Sequence, residues 1–160
     1  MLVEALVALS VLTMGFLGIL TLLSRSTALT RVVSDNYTAT YLAAEGIEII
    51  KNLVDANVMP GGGGWGDGFI QPSASYEVDY QDDNPNNLEV FNPDNFLNLD
   101  LATHLYSYRA GGSPTPFKRQ VTVSFPNADE MQVVSNVFWT GRGGSPSRVL
   151  VEDHFYNWRL

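Results

Sequence analysis

Residues 1–24 read Met-Leu-Val-Glu-Ala-Leu-Val-Ala-Leu-Ser-Val-Leu-Thr-Met-Gly-Phe-Leu-Gly-Ile-Leu-Thr-Leu-Leu-Ser, and the twenty from Ala5 to Ser24 carry no charge. As a helix, twenty residues span about 30 Å, the thickness of a bilayer's hydrocarbon core. Glu4 stands at the N-terminal edge of this run, where burying a carboxylate is costly and marks a role. A secretory signal would carry a basic n-region, a shorter apolar core and a small-residue cleavage site. Here the first basic residue is Arg25, and no A-x-A pattern follows the run. A plain signal anchor meets the same hydropathy criterion, so hydropathy alone leaves both an anchor and a more specialised helix open.

Beyond Ser24 the helical pattern continues in one-sided form. Leu29, Val33, Thr40, Ala44, Ile47, Ile50 and Val54 recur at three- and four-residue spacing, with Arg31, Asp35, Glu48, Lys51 and Asp55 largely elsewhere. The spacing predicts a single helix from about Leu2 to Asn57, roughly 85 Å long and too long for an ordinary globular domain. Pro60 and the glycines Gly61 to Gly64, followed by Trp65-Gly66-Asp67-Gly68, end it. This glycine tract follows a helix and lacks a P-loop Lys-Ser/Thr, so it reads as a connector.

The remainder carries the two-residue period of half-buried strands. Ala74, Tyr76, Val78 and Tyr80 alternate with Ser75, Glu77, Asp79 and Gln81. Phe117, Val121, Val123 and Phe125 alternate with Lys118, Gln120, Thr122 and Ser124, with Arg119 an exception on the apolar side. Met131 to Thr140 and Arg148 to Tyr156 are two further β-rich runs, set off by turns at 126–129 and 141–146. Between the first strand and this meander lies an Asn-, Asp- and Pro-rich insertion, Gln81 to Leu101, read as loop. The fold class is therefore α+β: a long N-terminal helix, apolar in its first half, packed against a C-terminal antiparallel sheet.

The run from Leu2 to Leu9, Leu-Val-Glu-Ala-Leu-Val-Ala-Leu, resembles the N-terminus of mature type IV pilins. Tyr41 to Asn57 with its Gly/Trp loop, Pro-Phe-Lys-Arg-Gln-Val-Thr-Val at 116–123, and Phe-Tyr-Asn-Trp at 155–158 are similar to pilin-like proteins of reduced-genome bacteria. The family's glutamate is usually the fifth residue after cleavage, and here it is the fourth. The resemblance implies a structural subunit, not an enzyme, with no cofactor. A prepilin peptidase would release it from a leader, the pilus assembly machinery would draw it from the cytoplasmic membrane, and copies would polymerise into an extracellular helical filament. Residues 1–24 would be the transmembrane and filament-core helix, and 25–160 the amphipathic half of the helix plus the head. Leu6, Leu9, Leu12, Phe16, Ile19, Leu20 and Leu23 would fill the filament core. Gly15 and Gly18 would let the helix loosen, and Glu4 would pair with the Met1 amine of a neighbouring copy. A minor pilin, a type II secretion pseudopilin, or an anchored adhesion module that never polymerises are the alternatives.

The charge balance bears on partners. A net charge of −8 argues against direct nucleic-acid binding. No basic residue lies between Lys51 and Arg109, yet nine acidic ones do, from Asp55 to Asp100. This stretch reads either as a solvated face or as a surface docking onto Arg109, Lys118, Arg119, Arg142 or Arg148 of another copy. With no cysteine in the chain, no disulfide or thiolate site exists. His104 and His154 lack metal-site spacing, and no G-x-S-x-G elbow occurs. Asp82 to Asn87 reads as an Asx-rich turn before a Ca²⁺ loop. The aromatics read as packing before a sugar-binding surface.

Overall fold

The predicted helix forms as α1, Leu2–Asn57. The computed structural model describes residues 2–59, 63–141 and 144–157. Expectations resting on Met1, on Pro60 to Gly62, on Arg142 and on Trp158 lie outside the described residues. Two units, Met1–Tyr37 and Thr38–Leu160, are described in turn. The composition changes at Ser24, but full burial begins only at Ala39, so the structural division falls later in the helix than the change in hydropathy.

In the first unit the helix is regular, and Gly15 and Gly18 do not interrupt it. In the second unit α1 buries Ala39, Leu42, Ala43, Gly46, Ile47, Ile49, Ile50, Leu53 and Val54. Their three- and four-residue spacing makes the stripe that covers one face of a sheet.

That sheet has five antiparallel strands in the order β2-β1-β6-β7-β8, with β1 at Ser73–Glu77, β2 at Glu89–Val90, β6 at Lys118–Asn127, β7 at Glu130–Thr140 and β8 at Pro146–Tyr156. The three long strands form the predicted meander. On β7, Met131, Val133, Ser135, Val137 and Trp139 point inward, as the alternation requires. Strand β6 runs on through Pro126 to Asn127, into the predicted turn at 126–129, with a register slip between Ser124 and Asn127. A bulge is where a strand tolerates proline.

Two expectations for the region 73–101 are corrected. The strand alternation stops at Tyr76, after which Glu77, Val78 and Asp79 are all buried while Tyr80 is exposed. The insertion also is more than loop. It supplies a 3-10 turn at Pro85–Asn87, edge strand β2, and β3 at Asn98–Leu99. With β4, Tyr106–Ser107, and β5, Ser113–Pro114, β3 makes a second small sheet in the order β4-β3-β5. The core has two parts: one under β1 and β6 around Ile50, Tyr76, Val121 and Val133, the other around Leu42, Leu97, Phe117 and Trp139.

Candidate functional site

The first half of α1 presents apolar side chains on every side. Leu6, Leu9, Leu12, Phe16, Ile19, Leu20 and Leu23 are exposed, from 44% at Leu20 to 69% at Leu12. Burying one such side chain in an apolar environment is worth about 1.5–3 kcal/mol relative to water. Seven of them, each already part-buried in its own helix, represent a gain on the order of 5–15 kcal/mol, which single exposed ion pairs at about 0–1 kcal/mol cannot match. Three hydroxyls in the run are bonded back to their own helix. Ser10 Oγ donates to Leu6 O at 2.8 Å, Thr13 Oγ1 to Ser10 O at 2.9 Å and Thr21 Oγ1 to Leu17 O at 2.8 Å. Back-bonding of this kind lets hydroxyls sit in an apolar medium without an unpaired donor. A Cβ at Gly15 or Gly18 would meet nothing within 4 Å, so the two glycines leave notches on an open surface. The helix is long and apolar enough to cross a membrane.

The four described cations among those read as docking residues do not form one surface. Arg119 is fully buried, and its surface role is withdrawn. It lies on the inward side of β6, and its guanidinium reaches acceptors on two other elements. Nη1 donates to Leu42 O at 2.9 Å and to Glu45 Oε2 at 2.8 Å, both on α1, while Nη2 donates to Val78 O. Beside it the β1–β6 ladder ends at Tyr76 opposite Val121. The Tyr108 hydroxyl then takes over from β1, accepting from Arg119 N at 2.8 Å and donating to Arg119 O. Burial pushes the Tyr108 phenol well above its ordinary range, with Arg119 opposing that shift. Lys118 is likewise engaged within the chain. Its Nζ donates to Pro93 O and sits 4.2 Å from the centroid of the Phe96 ring, tying the insertion to β6. Arg109 and Arg148 are exposed.

The acidic stretch is not simply a solvated face. Glu77 and Asp79 are buried and serve as acceptors for nearby chain. Glu77 takes Asn92 N–H at 3.0 Å and Asn95 Nδ2 at 2.8 Å; Asp79 takes Gln81 N–H at 2.9 Å and Tyr108 N–H at 3.1 Å. Asp82 accepts from Asp79 N at 2.7 Å, and burial raises its carboxyl above the usual range. With no cation nearby in sequence, N–H groups satisfy these carboxylates. Asn84 caps the 3-10 turn by accepting from Asn86 N at 2.9 Å, the Asx geometry its sequence implied.

Sequence reasoning missed Gly46. A Cβ there would lie 2.6 Å from Ser135 Oγ and 2.9 Å from Val121 Cγ2, so α1 makes close contact with the sheet at this residue. Its signal was present: one glycine inside an otherwise strong amphipathic helix. His154, without metal-site spacing in the sequence, is exposed on β8, with Nδ1 2.7 Å from Glu130 Oε1 and Nε2 3.0 Å from Glu152 Oε1. These two carboxylates raise the imidazole's pKa above its ordinary value. The chain matches no protein-family model, and no curated protein or solved structure matches it.

Proposed function

We propose that this chain is a structural subunit of a type IV pilus-like filament, polymerising through the apolar first half of α1. The observation that carries the reading is a helical surface exposed on every side, uncharged from Ala5 to Ser24 and bounded by Glu4. A helix that only had to span a bilayer would gain from a carboxylate in its first turn no more than a weak interaction with the helix dipole. In a helix bundle, the same carboxylate can pair with the amine of a neighbour and fix axial register, at the cost of leaving water. A membrane precursor at the cell's cytoplasmic membrane and an extracellular filament are the two locations this implies. The α+β architecture is compatible with a pilin head, and the buried Arg119–Glu45 pair fastens α1 to β6 in a chain without cysteines.

The test is Glu4→Ala in the full chain. Filament yield should fall at least tenfold while membrane insertion is kept, because the apolar run is untouched. Normal filament yield would sink the pairing role. Membrane insertion with no filaments from the unaltered chain would favour an anchored module that stays monomeric.

A further inference from the structure

We propose that β8 is a pairing edge for β8 of a second copy of this chain, antiparallel and centred on Leu150. The strand is eleven residues long, Pro146–Tyr156, and lies at the end of the five-stranded sheet. Among the described residues, β7 alone pairs with it. A long edge strand leaves a row of backbone donors and acceptors open and is a template for further pairing. The register of β8 with β7 is unbroken and the strand holds no lysine; its charges are Arg148, Glu152 and Asp153.

The side chains favour one register. Arg148, Leu150, Glu152 and His154 share the outer face, and Leu150 is 50% exposed at the strand's middle. A two-fold axis through Leu150 sets Arg148 of one copy opposite Glu152 of the other, twice. It also sets Leu150 against Leu150 and, on the inner face, Val149 against Val151. Moving the axis by one residue to Val151 places Arg148 opposite His154 and Val149 opposite Asp153, which loses both ion pairs and sets an apolar side chain against a carboxylate. An axis at Val149 leaves Arg148 opposite Leu150. Of these three registers, the Leu150-centred one satisfies charge and hydrophobic pattern together.

Arg148 makes no contact to an acidic group within the chain among the described residues, whereas Glu152 is already held in place. Its Oε1 accepts from Gln132 Nε2 at 2.7 Å and lies 3.0 Å from His154 Nε2. A carboxylate held in one rotamer loses less entropy on meeting a cation. The pairing would join the β8 edges of two heads into one continuous sheet, independently of the apolar helix and of the filament reading.

The chain's lack of cysteine makes the test direct. Full-length single-cysteine variants are oxidised as unassembled chain in detergent. Leu150→Cys should form a disulfide-linked dimer, and Arg148→Cys should not, since its two sulfurs would be about 13 Å apart along the strand. Arg148→Glu and Glu152→Arg should each weaken self-association about tenfold, by placing like charges opposite one another twice. Arg148→Glu with Glu152→Arg in one chain should restore it to within about threefold, since each pair is merely reversed. Equal cross-linking of Leu150→Cys and Leu101→Cys, a surface control, would overturn the proposal. So would a doubly reversed chain that associates no better than the single variants.

Discussion

Arg119 is the residue on which the head turns. A buried charge is costly unless it is paired, and here two carbonyls and Glu45 accept from Nη1 and Nη2 while Nε is left without a partner. Glu45→Ala should therefore cost about 3 kcal/mol, by leaving a buried guanidinium without its carboxylate. Arg119→Met should cost less, about 1–2 kcal/mol, because it removes the charge along with the need to compensate it and leaves only carbonyls unpaired. Denaturant unfolding of the full chain in detergent, followed by tryptophan fluorescence, orders the two variants; a larger loss for Arg119→Met would contradict this account. Tyr108 adds a pH dependence. Its folded pKa lies above the unfolded value, so its contribution is fully present below pH about 10 and is lost as pH rises through the folded value. Tyr108→Phe should lower stability by about 2 kcal/mol at neutral pH, leaving both backbone groups of Arg119 unpaired, and should flatten the alkaline loss. An unchanged alkaline midpoint in that variant would exclude Tyr108 as its source.

The contact between α1 and the sheet explains what the sequence could and could not tell. The helix and the three long strands were legible because the second half of α1 repeats near 3.6 and most of each strand alternates with period 2. The inward position of Arg119 was legible as well, as an exception in the alternation, but its partners were not. They come from Leu42 and Val78, 77 and 41 positions away in sequence. The segment 73–101 misled for a physical reason: strand alternation describes a sheet with one wet face, and past Tyr76 the insertion covers the other face and buries Glu77 and Asp79. Gly46 gives a prediction for this contact. Gly46→Ala should destabilise by about 1–3 kcal/mol, since its Cβ would press on Ser135 Oγ and Val121 Cγ2. Ser135→Ala removes the nearer of these atoms, a buried hydroxyl with no hydrogen-bond partner, and should be close to neutral alone. The double variant should recover about half of the loss, and strict additivity in that cycle would show that Gly46 is not limited by Ser135.

Two kinds of surface coexist in this chain, and they assign different work to its parts. The head holds buried carboxylates by hydrogen bonds from its own N–H groups. The first half of α1 leaves its apolar surface open on every side. Such a surface is stable only in lipid or against other apolar helices. Removing residues 1–24 should therefore give a head that stays in solution without detergent and forms no filaments, and sedimentation of that variant checks it. The decisive measurement is electron microscopy of material sheared from cells that express the full chain, with an antibody against the head as marker. The account predicts labelled filaments of uniform width that vanish when residues 1–24 are removed. A chain that stays wholly in the membrane fraction, with no labelled filament in the sheared material, would contradict it.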